Sequence, residues 1–130
     1  AVVGSANINP QYSISLDVTF ATDVPDCPAR KYGDVALGKG VVITKHLDSN
    51  RKLSELAEEV AVKNKIPYQI SANNSATGGT NASKIQLSNK GVRSLLLSIP
   101  NRYMHTPAEV CDLRDVESAI DLVVELIAAL

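Results

Sequence analysis

The sequence has no tryptophan, a single phenylalanine and four tyrosines. Such a chain has few rings on which to stack bases or sugars, which weighs against a nucleic-acid platform and against a carbohydrate cleft. It also lacks an excess of either charge: thirteen basic residues oppose fourteen acidic ones, for a formal net charge of −1 at pH 7. Without a basic stripe there is no electrostatic footprint for nucleic acid or for an anionic membrane. There are only two cysteines, Cys27 and Cys111, with no CxxC or Cys/His spacing. That excludes a disulfide framework and a thiolate zinc site, and it predicts a reducing, cytoplasmic setting. No run of 18 apolar residues occurs, and no charged segment leads into an apolar one at the start, so neither a membrane span nor a signal peptide is expected. In that setting the triplets Asn73-Asn74-Ser75 and Asn81-Ala82-Ser83 are not read as glycosylation sites. Internal repeats and low-complexity segments are absent as well.

What is present suits one compact domain of 130 residues. Tyr12 to Phe20 alternates apolar and polar residues with period two, the pattern of a strand with one buried face. Residues 21–40, with Pro25, Pro28, Gly33, Gly38 and Gly40, read as a long ordered loop. Val41–Thr44 and Tyr68–Ile70 predict short strands, and Val92–Ile99 a central strand covered on both faces. Ser49 or Asn50 is placed to cap a helix bearing Leu53, Leu56, Ala57 and Val60, with Glu59 and Lys63 paired on its solvent side and an end before Pro67. A turn at Ser75–Gly79 leads to a helix from Ala82 through Leu87, closed at Gly91. A last helix, Leu113–Leu130, is capped by Asp112 or Asp115 and lined by Val116, Ile120, Val123, Ile127 and Leu130. Strands alternating with helices predict an α/β fold: a three-layer α/β/α sandwich around a mostly parallel, mixed sheet.

Gly33–Lys39 matches GxxxxGK, but Gly40 replaces the magnesium-binding Ser or Thr and a β-branched run follows where a helix should, so no nucleotide site is read there. Asp17 shares the polar parity of its strand with Ser13, Ser15 and Thr19. It is either a solvated carboxylate or a metal ligand near a strand end. His105, in the loop after the central strand, is either a hydrogen-bonded loop histidine or a ligand or general base. His46 has no comparable setting, and Glu58-Glu59 reads as a solvated helix face.

Five blocks occur in order: Ser15-Leu16-Asp17-Val18-Thr19-Phe20-Ala21-Thr22-Asp23-Val24-Pro25; Leu37-Gly38-Lys39-Gly40; Ile66-Pro67-Tyr68-Gln69; Gly78-Gly79-Thr80-Asn81-Ala82; and Ile99-Pro100-Asn101-Arg102-Tyr103-Met104-His105-Thr106-Pro107-Ala108-Glu109-Val110. In order and spacing they resemble the dinuclear-metal aminopeptidases that form tetrahedral particles. That family includes glutamyl and deblocking aminopeptidases and members once labelled cellulases or endoglucanases. The resemblance implies a metal-dependent aminopeptidase acting on peptides, with two divalent ions, zinc or cobalt, and a homo-oligomer, a dodecamer. It implies Asp17 as ligand to one ion and His105 to the other. Asp23, Gly78, Gly79, Thr80, Asn81 and Arg102 then stand nearby, behind the ligands or toward substrate.

Family members are longer. The chain, which begins at Ala1 without methionine, therefore resembles the C-terminal half of the catalytic domain, residues 1–130, without the upstream half and the inserted dimerisation domain. The remaining ligands and the catalytic glutamate are expected before Ala1. Two ligands, one per ion, fall short of the roughly three protein ligands of a catalytic zinc site, so the isolated chain is expected to be inactive. The family turn usually reads Gly-Gly-Thr-Asp, and Asn81 here replaces the carboxylate by an amide. That departure keeps open an alternative, a non-catalytic relative that serves as an assembly or peptide-binding subunit.

Overall fold

The computed structural model describes residues 1–47, 49–72 and 80–130. Nine elements are present among them: α1 (Val2–Ile8), β1 (Tyr12–Phe20), α2 (Ala29–Tyr32), β2 (Val41–Thr44), α3 (Arg51–Asn64), β3 (Tyr68–Ser71), α4 (Asn81–Ile85), β4 (Arg93–Asn101) and α5 (Leu113–Ala129). The strands form one sheet in the order β1-β4-β2-β3. β1 runs parallel to β4 and β2 parallel to β3, while β2 meets β4 antiparallel through Val42↔Ser98 and Ile43↔Leu97. The fold is thus the expected mixed α/β sheet.

β4 is buried on both sides because it is internal. Leu95 and Leu97 face α3 and α5, in a core shared with Val41, Ile43, Leu53, Ala57, Val60, Leu122 and Leu126. Burying each of the large aliphatic side chains contributes about 1.5–3 kcal/mol. Ser94, Leu96 and Ser98, on the opposite face of the strand, are buried too. α4 packs against β1 and β4 outside that core, and α1 rests on α4 with Ser5 and Ser88 sharing a hydroxyl–hydroxyl bond of 2.6 Å.

Helix α3 starts where its cap predicts: the Asn50 side chain accepts the Leu53 N–H. Its solvent-side pairs are Arg51–Glu55 and Lys45–Glu58, and among the described residues Glu59 and Lys63 form no ion pair. Glu58 also accepts a hydrogen bond from the Tyr68 hydroxyl, so it is more than a solvated face. The α4 helix is shorter than its sequence pattern, ending at Ile85. Turns then run to Gly91, whose N–H bonds Ser88 O, while Val92 N–H bonds Gln86 O. The turn expected at Ser75–Gly79 lies outside the described residues.

One face was misread. α5 buries Ala119, Leu122 and Leu126 with Asp115 and Ser118, whereas Ile120 and Ile127 are 57% and 61% exposed. Two apolar stripes lie side by side on this helix, and polar anchors choose between them. Asp115 accepts the N–H groups of Gly38 (2.8 Å) and Gly40 (2.7 Å), and the Ser118 hydroxyl accepts that of Val41 (2.8 Å). Those bonds fix the rotation of the helix over the sheet. Gln69 secures the same stretch from β3, donating to the carbonyls of Ala36 and Gly40 and accepting from the Ala36 N–H. The block Leu37–Gly40 is therefore a structural knot joining loop, sheet and α5, with β2 directly after it.

Candidate metal-ligand site

The parallel pairing of β1 with β4 brings the carboxyl ends of both strands together, Phe20 opposite Asn101. In α/β sheets this is the end where chemistry gathers. Asp17 lies three residues before that end, opposite Ser98 and exposed. Its Oδ1 accepts the Val18 N–H at 2.8 Å, and Oδ2 has no partner among the described residues. β1 is an edge strand of the described sheet, and Asp17 projects from one of its faces, exposed.

Beyond β4 the chain makes a tight excursion closed by two hydrogen bonds between Arg102 and Val110, of 2.9 and 3.1 Å. Inside it Tyr103 (φ 57°) and His105 (φ 68°) adopt the left-handed conformation, which costs non-glycine residues about 1 kcal/mol or more each. The excursion is tied internally. The Thr106 hydroxyl donates to Tyr103 O at 2.6 Å and accepts the Ala108 N–H, while Glu109 accepts the His105 N–H at 2.6 Å and an Asn101 side-chain N–H at 2.9 Å. The His105 ring meets Phe20 edge-on, centroids 5.8 Å apart at 86°. Its exposed ring nitrogens make no hydrogen bond among the described residues.

Asp23 and Arg102 tie the two strand ends together. The Arg102 guanidinium donates to both Asp23 oxygens, at 2.9 and 2.6 Å, and Asp23 also accepts the Leu37 N–H. Arg102 above all, with Leu37 assisting, holds the Asp23 carboxyl below its ordinary value of 3.8 despite partial burial. A carboxyl whose folded pKa is depressed stabilises the fold above its unfolded pKa and loses that contribution as pH falls through the folded value. Asp23→Asn should therefore lower the urea midpoint at neutral pH, with the gap to wild type closing below pH 4; a gap independent of pH would dissociate Asp23 from this pair. Glu109 is likewise held low, first by Asn101 and then by the His105 backbone.

The other expected site residues divide. Thr80 precedes α4 with its hydroxyl oxygen buried and without a partner among the described residues, and Asn81 opens α4, exposed. Gly78 and Gly79 lie outside the described residues. His46, read as unremarkable, has its Nε2 buried without a partner. Glu109 and Asn101 were not singled out as site residues. The available signal was the spacing Thr106-x-x-Glu109, in which a glutamate reaches back to a backbone N–H as in a capping box, although no helix follows.

Among the described residues no three His, Cys, Asp or Glu side chains cluster closely enough to hold a metal ion. Asp17, within β1, and His105, in the excursion after its parallel neighbour β4, instead each present oxygen or nitrogen donors of the kind divalent metals take, uncommitted among the described residues. That fits one ligand to each of two ions, with the rest of each shell supplied from elsewhere.

Strand order and register define an α/β segment built on a mixed sheet. The chain belongs to the M42 glutamyl aminopeptidase family, whose model matches residues 1–122. It is 40% identical over 132 residues to a lysyl aminopeptidase of Pyrococcus furiosus, spanning 100% of this chain and 36% of that protein. A TET aminopeptidase from a marine-sediment Thaumarchaeota archaeon superposes with a TM-score of 0.88 at 30% identity, over 97% of this chain and 35% of its own. The TET1 peptidase of Pyrococcus horikoshii, described as assembling into a tetrahedron or a large octahedral shell, gives 0.74 at 30% identity, over 97% and 37%. The chain thus spans little more than a third of the relatives it matches. No described helix is long and apolar enough to cross a membrane.

Proposed function

We propose that the polypeptide containing this segment is a dinuclear-metal aminopeptidase, releasing N-terminal residues from peptides, and that residues 1–130 form the C-terminal part of its catalytic domain. The observation that carries this reading is the pair of uncommitted donors, Asp17 within β1 and His105 in the excursion after its parallel neighbour β4, in a chain matched by the family over residues 1–122. The relatives' names support the peptidase activity. The metals are taken to be zinc or cobalt, since carboxylate and imidazole suit both.

Bound metals supply polarisation of the scissile carbonyl and a water acidified toward neutrality. Asp17 holds anionic charge at one position. His105 offers a lone pair as neutral imidazole at the other, with its ring steadied edge-on against Phe20. Asp23 and Arg102 keep the two strand ends in register, so that both donors keep their spacing. With one ligand to each ion, the segment by itself has no complete shell and should show no peptidase turnover. Asn81 stands exposed at the head of α4 and among the described residues makes no side-chain hydrogen bond, a setting that accommodates amide or acid, so the non-catalytic alternative gains nothing from it.

The assembly is taken to be a homo-oligomer, a dodecamer, and the likeness to the TET relatives supports that reading. A cytoplasmic setting agrees with the free thiols of Cys27 and Cys111.

Chelation of the full-length protein should abolish release of amino acids from short unblocked peptides, and zinc or cobalt should restore it. Undiminished hydrolysis after complete metal removal would refute the reading.

A further inference from the structure

We infer that Glu109 is the positioning residue of His105: its carboxylate, by taking the His105 backbone N–H, holds the loop conformation from which the imidazole binds metal. The inference rests on His105 being a ligand. His105 is held in a left-handed conformation on an exposed excursion, where a histidine left to itself would sample other backbone states. Glu109 is the carboxylate that spans from that backbone to the rigid sheet. One of its oxygens takes the His105 N–H, and the other takes the Asn101 side-chain amide. Asn101 ends β4 at 5% exposure, so the far end of the bridge is anchored in packed structure.

Chemistry also fixes the orientation of this bridge. A carboxylate only accepts, so Asn101 must turn its NH₂ toward Glu109, and its Oδ1 is left buried with no partner among the described residues. A buried acceptor without a partner is tolerated where the surrounding arrangement demands it. Here the demand comes from Glu109. Supports of this kind behind a ligand typically govern metal affinity.

Three substitutions in the full-length protein separate the possibilities, with zinc and cobalt dissociation constants from chelator competition, the visible spectrum of the cobalt-loaded protein and the thermal midpoint as readouts. Glu109→Ala removes the bridge and should weaken one of the two metals by roughly 10–100-fold. Glu109→Gln should recover to within a few-fold. Gln can still accept the His105 N–H, and its own NH₂ can bond Asn101 Oδ1 once that amide flips. Glu109→Asp keeps charge and fold but is one methylene too short to span both donors. It should resemble Glu109→Ala in metal affinity and cobalt spectrum, with a near wild-type midpoint.

Wild-type affinity and spectrum in Glu109→Asp would overturn the inference, even if Glu109→Ala proved unstable. So would a lowered midpoint with unchanged metal binding across the series, the signature of a purely structural role. Both metals retained at full affinity in His105→Ala would instead refute the ligand reading on which the inference rests.

Discussion

Replacing His105 by alanine in the full-length protein is expected to reduce bound metal from two ions to one per chain and to lower peptide hydrolysis by about 10³-fold or more. On the proposed reading, the magnitude follows from losing a lone-pair donor at a two-ion centre: several kcal/mol of transition-state stabilisation correspond to a thousandfold in rate. Structure should hardly change, because His105 is exposed and its only packing contact of note is the edge of Phe20. Metal stoichiometry by elemental analysis and turnover on an unblocked peptide decide the matter together. Two ions retained at full activity would return His105 to the status of an ordinary loop residue.

The second large effect concerns stability. Gly40 sits at φ 99°, and a Cβ built there would fall onto the carbonyl group of Pro67, inside contact distance of backbone that has no rotamer to change. Its N–H is held by Asp115 and its carbonyl by Gln69, so the backbone cannot swing aside without breaking the knot. Gly40→Ala should cost about 4 kcal/mol or more, in the range reserved for overpacking combined with backbone strain. Gly33 makes a useful comparison because it has a similar φ of 91° but open space where its Cβ would go. Gly33→Ala should cost about 1–3 kcal/mol from conformation alone. If the two variants melt together, the collision with Pro67 is not the reason for glycine at position 40.

Much of the architecture was legible because local patterns were unambiguous. Period-two alternation delimits β1 at Tyr12–Phe20, and the β-branched run delimits β2 at Val41–Thr44. Asn50 marks the start of α3 and Asp112 that of α5, each accepting a backbone N–H of the first turn. Arg114 holds the Asp112 carboxyl at about 2, so this cap stays charged through ordinary acid conditions.

What escaped was set at a distance. The rotation of α5 depends on Asp115 and Ser118 meeting backbone N–H groups 75 and 77 positions away, which no periodicity records. The antiparallel junction of β2 with β4 is likewise invisible to strand patterns, which mark faces but not partners. At the site, a strand alternation and a loop histidine each allowed a bland reading as easily as a chemical one. The family resemblance, not the local pattern, separated them. The Asp23–Arg102 pair joins positions 79 apart, and Glu109 matters only because the excursion folds it back onto Asn101.

The pairing of β1 with β4 joins residues some 81 positions apart, as in Tyr12 and Arg93. Closing so long a loop costs entropy before any contact rewards it, so this parallel pair is expected to form after β2, α3 and β3 have compacted the intervening chain. Asp17 and His105 consequently cannot take up their relative positions in a half-folded polypeptide. On the proposed reading, metal uptake is then a late event in folding, and the rate at which cobalt colour develops during refolding of the full-length protein would time the docking of β1 on β4.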